Sequence, residues 1–185
     1  MRRAVFLDRD GTLIEEAGYL DQLERIRFFP YSIDAVRLLN RAGFAVVVVT
    51  NQSGVARGIF DEAFVLAAHD RIARGLAAGG AIVDAFYYCP HHPDGSVADY
   101  RRACDCRKPQ PGLMRRAASD LGLALDRSFV VGDRLHDVQA GPTIAAPAVL
   151  VRSGYGCAHE VAARAHGAAI ADNLIEAVAW ILRQP

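Results

Sequence analysis

Two aspartates one residue apart, Asp8 and Asp10, close the apolar run Ala4-Val5-Phe6-Leu7 and lead into Gly11-Thr12. A carboxylate at a strand end can attack an electrophile or hold a metal while its neighbour moves protons. An Asx-turn at a strand end would use the same residues for geometry alone. Thr50-Asn51-Gln52-Ser53-Gly54 ends a second apolar run and offers hydroxyl, amide and backbone donors to an anion, or else a simple turn. Val130-Val131-Gly132 ends another and delivers Asp133, with Asp137 about one helical turn further on, where capping a helix start is the ordinary alternative. Of 21 basic residues all but Lys108 are arginine. A lysine kept in so arginine-rich a chain suits a small phosphoryl group better than a planar guanidinium does. Gathered on one rim, these oxygen ligands suit magnesium. With the lysine they would neutralise a phosphoryl group, which an aspartate attacks to give an aspartyl-phosphate that water hydrolyses.

A separate constellation lies in one loop, where Cys89-Pro-His91 is followed by Cys104-Asp-Cys106. Three thiolates and an imidazole form a closed tetrahedral zinc site, structural because no coordination position stays open. His91 mirrors the spacing of the cysteine pair, and His92 is the alternative. Cys157 stands apart in a Gly-Tyr-Gly turn and reads as a free thiol.

The elements that position these residues follow from hydrophobic periodicity. Short β-type runs near 4–7, 44–50, 84–88, 128–132 and 147–151 alternate with helical patterns near 31–42, 61–77, 112–121, 136–145, 158–166 and 173–183. Val46 to Val49 is continuously apolar, as in a strand buried on both faces. Such alternation predicts an α/β fold, a Rossmann-like doubly wound parallel sheet, with ligands at the carboxyl ends of the strands. Two long irregular segments, 15–30 and 89–111, follow strand ends and should emerge on the Asp8 rim. Only 41 residues separate Asp8 from Thr50, too few for a cap domain.

The 185 residues suit one domain spanning 1–185, with the zinc loop at 89–106. With 21 acidic residues against 21 basic ones, no nucleic-acid partner and no membrane surface is favoured. No signal peptide and no spanning segment is read, so the expectation is a cytoplasmic protein, and a monomer.

In order and at strand ends, Asp8-Arg-Asp10-Gly-Thr, Thr50, Lys108 and Gly132-Asp133 resemble the four motifs of the haloacid dehalogenase superfamily of phosphatases. Thr-Asn-Gln-Ser-Gly-Val-Ala-Arg-Gly, Tyr-Tyr-Cys-Pro-His-His-Pro and Cys-Asp-Cys-Arg-Lys-Pro extend the similarity to its zinc-loop subgroup, which contains the heptose-bisphosphate and the histidinol-phosphate phosphatases. That resemblance implies Asp8 as nucleophile and Asp10 as general acid/base. It implies magnesium on Asp8, the Asp10 carbonyl and Asp133, with Thr50 and Lys108 holding the phosphoryl group. It further implies a small phosphorylated sugar as partner, with Arg107 on its second phosphate and Glu16, Ala17, Gly18, Tyr19, Asn51, Gln52, Ser53 and Arg134 lining the pocket. Many relatives carry histidine where this chain has Ala17, and Arg134 stands in for a lysine. A heptose bisphosphatase would serve ADP-heptose supply for lipopolysaccharide core. Histidinol-phosphate hydrolysis is the rival, and a catalytically silent zinc-stabilised binding module the outsider.

Overall fold

A computed structural model describes the whole chain, Met1–Pro185. Six parallel strands form one sheet: β1 (Ala4–Leu7), β2 (Ala45–Asn51), β3 (Ala85–Cys89), β4 (Phe129–Gly132), β5 (Ala148–Val151) and β6 (Ala169–Ala171). Their order is β3-β2-β1-β4-β5-β6, the doubly wound arrangement whose direction reverses beside β1. Leu7 pairs with Val48 on one side and Val131 on the other, so the chain ends of three central strands meet at one level.

Period-two side chains explain the two-sided core. Val5, Leu7, Val46 and Val48 face one layer, made by α1 (Ser32–Arg41), α2 (Glu62–Ala78) and α6 (Leu174–Ile181). Ala4, Phe6, Val47 and Val49 face the other, made by α3 (Gly112–Leu121), α4 (Leu135–Ala140) and α5 (Gly156–Ala165). Helix boundaries have local causes. Asp61 caps α2 by accepting from the Phe64 N–H, Asn173 caps α6 by accepting from Glu176, and Gly122 ends α3 at φ 65°.

Three elements differ from expectation. The helix expected over 136–145 stops at Ala140, because Gly141-Pro142 converts its second half into a 3-10 turn, Pro142–Ile144. Helix α5 begins at Gly156, ahead of the expected 158. Strand β6, only Ala169-Ile170-Ala171, was not expected; pairing with Val149–Val151 makes it a strand where local propensity is weak.

Inside α2, His69 stacks on Phe86 at 4.8 Å between ring centroids, and its buried Nε2 has no protein partner. Burial, reinforced by the Arg9 charge, holds its pKa down to about 3. The unfolded chain therefore binds the proton that the folded chain refuses between pH 6.5 and about 3, so stability drops as pH falls through that window. His69→Gln should flatten this acid slope by about 1.4 kcal/mol per pH unit. Urea unfolding of both proteins at pH 6, 5 and 4 checks it, and parallel slopes would contradict the prediction.

Candidate active site and metal centres

The backbone at the carboxyl end of the sheet places the chemistry. Asp8 continues β1, and its N–H donates to the Val131 carbonyl at 2.9 Å. The chain then turns at once: Gly11, at φ 81°, donates to the Ile14 carbonyl at 2.8 Å. Asp133 follows β4 and is fully buried. Its Oδ2 accepts from the Tyr155 N–H at 2.8 Å, while its Oδ1 has no partner. Gly11 and Gly154 pack backbone to backbone against this carboxylate. A Cβ would stand 2.3 Å from Asp133 Oδ2 at Gly11 and 2.2 Å at Gly154, so glycine is required at both.

Lys108 arrives from the opposite side, at the end of the 89–111 loop. Its Nζ lies 2.6 Å from Asp8 Oδ1, 2.6 Å from Asp137 Oδ1 and 2.6 Å from the Val49 carbonyl. Asn51 holds the lysine backbone reciprocally, donating to its carbonyl at 3.1 Å and accepting from its N–H at 3.0 Å. Asp137 does two jobs, since its Oδ2 also accepts from the Arg134 N–H at 3.0 Å and so caps α4. Thr50 Oγ1 accepts from Gln52 Nε2 at 2.7 Å, which leaves the hydroxyl hydrogen free for another acceptor.

The electrostatics are unbalanced. Oxygens of Asp8, Asp133 and Asp137 lie within 4.8 Å of one another, facing one lysine. Burial, helped by Asp137 and Asp10, pushes Asp8 up to about 7 although Lys108 pulls it back. Burial and the charge of Asp8 raise Asp133 to about 8. Burial opposes the ionised form of Asp137, but Lys108 and then His136 outweigh it and hold this carboxyl low. Burial likewise opposes the lysine charge, and Asp137 and Asp8 more than reverse it. An all-oxygen donor set, an orphaned carboxylate oxygen and surplus negative charge fit a hard divalent cation such as magnesium.

Above this floor lies a cavity of about 310 Å³. Asp8, Asp10 and Thr50 reach its base; Glu16, Gly18 and Tyr19 line it from the 15–30 segment; Asn51, Gln52, Ser53, Arg107 and Arg134 complete the expected set. Lys108 and Asp133 sit beneath it, buried. Ala17 is the exception to the expected lining, because its side chain packs against the hydrophobic core. Both irregular segments thus reach the Asp8 rim. Six lining residues lie outside the expected site set: Arg9, Leu20, Gly54, Phe60, His136 and Tyr155. Tyr155 had a signal, since Ser153-Gly154-Tyr155 is a turn following β5 on the same rim. It carries the Arg134 guanidinium 3.9 Å above its ring, and Glu16 pairs with Arg134 at 3.1 Å.

The zinc constellation assembles as expected. Cys106 Sγ lies 3.0 Å from Cys89 Sγ, 3.2 Å from Cys104 Sγ and 3.3 Å from His91 Nδ1. Hydrogen bonds, first from Cys89, draw the Cys106 thiol down to about 5 against the opposing effect of burial. Three sulfurs and one imidazole nitrogen within 4.8 Å of one another are a fitting donor set for zinc. His92 faces away, toward Arg57 and Asp94. Cys157 is exposed. Glu62 anchors the loop by accepting from Tyr88 at 2.5 Å and Tyr100 at 2.6 Å. The His91 carbonyl in turn accepts from Arg107 at 3.3 Å, which links the zinc loop to the cavity wall.

Sheet order, paired aspartates and the lysine-carboxylate floor define a hydrolase of the haloacid dehalogenase type. Residues 105–177 match the HAD-hydrolase-like family model. D-glycero-beta-D-manno-heptose-1,7-bisphosphate 7-phosphatase of Photorhabdus laumondii is 46% identical, over 82% of this chain and 81% of that protein. The protein of the same name from Escherichia coli K12 is 46% identical over 82% and 80%. Among solved structures, D,D-heptose 1,7-bisphosphate phosphatase from B. bronchiseptica, complexed with magnesium and phosphate, superposes with TM-score 0.85 at 34% identity, covering 99% of each chain. The Burkholderia thailandensis enzyme gives 0.72 at 30%, covering 99% of this chain and 100% of that one. The chain belongs to the heptose 1,7-bisphosphate phosphatase family of the haloacid dehalogenase superfamily. It is a phosphoric monoester hydrolase.

Cys104→Ser should lose zinc and loosen the 89–106 loop while leaving magnesium binding nearly intact. Metal analysis of the purified variant, with limited proteolysis of the loop, checks this. A full zinc content would show that the ligand set is wrong.

Proposed function

We propose that the chain removes the C7 phosphate of D-glycero-β-D-manno-heptose 1,7-bisphosphate with magnesium, through an aspartyl-phosphate on Asp8. The observation that carries the reading is the meeting of Asp8, Asp10 and buried Lys108 under a cavity edged by Arg107 and Arg134. Hydrolysis of phosphate monoesters is among the slowest of biological reactions, and enzymes accelerate it by up to ~10²¹. It demands nucleophile, proton carrier and positive charge together.

In the first half-reaction an Asp8 carboxylate oxygen bonds to phosphorus, and the bond from phosphorus to the C7 oxygen breaks. Asp10 gives its proton to the departing oxygen. In the second half-reaction Asp10 takes a proton from water, whose oxygen bonds to phosphorus. The bond from phosphorus to Asp8 breaks, releasing inorganic phosphate and restoring both aspartates. Lys108 stays charged beside the nucleophile, and the free Thr50 hydroxyl hydrogen is available to a phosphoryl oxygen. Magnesium, when bound by Asp8, Asp133 and the Asp10 carbonyl, supplies charge neutralisation at the phosphoryl oxygens.

The rim chooses the substrate. Arg107 offers a guanidinium for the phosphate left on C1, and Arg134, held by Glu16 and Tyr155, stands beside it on the rim. Glu16, the carboxylate that an amine would need, is already paired with Arg134. This favours a sugar bisphosphate over histidinol phosphate. Intact Asp8 and Asp10 favour catalysis over a silent zinc module. The reading implies a cytoplasmic monomer in ADP-heptose supply for lipopolysaccharide core, and the chain has no helix long and apolar enough to cross a membrane.

Phosphate release with magnesium, measured on both anomers of heptose 1,7-bisphosphate and on histidinol phosphate, tests the substrate. The β-bisphosphate should lead histidinol phosphate by 10²-fold or more in kcat/KM, on the order expected where a substrate lacks a charged partner. A preference for histidinol phosphate would overturn the assignment while leaving the chemistry standing. Asp8→Asn should lower turnover by at least ~10³, because an amide is no nucleophile. Near-normal turnover in that variant would sink the covalent mechanism.

A further inference from the structure

Arg9, the residue between the two catalytic aspartates, is 1% exposed and among the largest fully buried side chains in the protein. A guanidinium taken out of water at such cost needs well-formed partners; two of the three Arg9 nitrogens find them on Asp10 and Gln52, while the buried third, Nη1, has none. Its Nε donates to Asp10 Oδ2 at 3.0 Å and one terminal nitrogen donates to Asp10 Oδ1 at 3.2 Å. That nitrogen also donates to Gln52 Oε1 at 2.9 Å. Gln52 closes the ring by donating to Asp10 Oδ2 at 3.0 Å and to Thr50 Oγ1 at 2.7 Å. Both oxygens of Asp10 are therefore gripped from one side by a planar fork, and the amide ties that carboxylate to the Thr50 hydroxyl.

We propose that Arg9 is a positioning residue for the proton-transfer step: its two-pronged hold fixes the Asp10 carboxyl plane so that one oxygen can reach the leaving group. This rests on the reading of Asp10 as general acid. Arg9 touches the cavity, but it is 1% exposed and its Nε and one terminal nitrogen are already committed to Asp10 and Gln52, so its contribution is assigned to chemistry rather than to binding. A carboxyl freed from this hold rotates about its side-chain torsions, and a misplacement of about 1 Å costs on the order of 10² in rate. Lysine cannot replace the fork, because a point charge does not set the plane of a carboxylate.

Leaving-group dependence separates this role from a structural one. Departure of an alkoxide from heptose 1,7-bisphosphate needs the Asp10 proton, whereas 4-nitrophenolate leaves 4-nitrophenyl phosphate without it. The parameter kcat/KM covers only steps through leaving-group departure, so the later attack of water does not blur the comparison. With magnesium present, Arg9→Met should lower kcat/KM for the bisphosphate about 10²-fold and for the aryl ester less than about 5-fold. Arg9→Lys, which keeps the charge and is the milder change, should still lower the alkyl-to-aryl ratio at least about 10-fold. Asp10→Asn provides the reference and should lower the same ratio. If Asp10→Asn lowers the ratio and neither Arg9 variant does, the positioning role is overturned and the acid assignment survives. If Asp10→Asn also loses both substrates equally, the acid assignment fails and the positioning role falls with it. Should Arg9→Met not fold, Arg9→Lys decides alone, and an unchanged ratio there overturns the proposal.

Discussion

One ammonium group organises the site. Lys108 Nζ lies 2.6 Å from each of Asp8, Asp137 and the Val49 carbonyl, hydrogen-bonded to the first and last and ion-paired with Asp137. Those partners belong to the end of β1, the start of α4 and the end of β2. The lysine itself comes from the loop that also carries Cys104, Cys106 and Arg107. Pulling out this cation would leave two buried carboxylates unpaired, the costly direction for any buried ion pair. The zinc ligands, the Asn51 brace on the lysine backbone and the Glu62 anchor on Tyr88 and Tyr100 all serve to deliver this single charge.

The lysine neutralises only part of what the fold has buried. Burial first, then Asp137 and Asp10, push Asp8 up to about 7 against the pull of Lys108, and burial and Asp8 push Asp133 up to about 8, although Asp8, as the proposed nucleophile, must be ionised to act. A divalent cation held between these oxygens would reverse the surplus, making the charged form of each aspartate the stable one. The same positions would make a poor site in the absence of such an ion. The three-carboxylate floor, costly by itself, is thus explained by the chemistry above it.

Much of this was legible in the sequence, for reasons that differ by residue. Asp8, Thr50 and Asp133 could be placed because they follow apolar runs, and a parallel sheet brings such ends together. Cys89, His91, Cys104 and Cys106 were legible because thiols and imidazole in one loop have few structural uses. Lys108 stood out only because the chain is otherwise lysine-free. Arg9 was not legible: it lies in the bend just after β1, and nothing in the local pattern says that an arginine between two aspartates turns inward. Ala17 was assigned to the pocket through resemblance alone, and a methyl group there finds the core instead. Strand β6 escaped because three small residues owe their conformation to β5, and the helix after β4 was overextended because Pro142 was not given its full weight.

The contact between Gly11 and Gly154 has a consequence for how such a site can change. With Asp133 filling the space where either Cβ would stand, these two positions beside the buried carboxylate are main chain only and have no side chain to exchange. Point substitution at either one collides with Asp133 rather than adding a group to the site. New substrate preference has to be written in the side chains that line the cavity, such as Glu16, Tyr19, Arg107 and Tyr155. The close-packed floor that breaks the phosphoester bond is therefore hard to alter, while the cavity lining above it that chooses whose bond is broken is open to exchange.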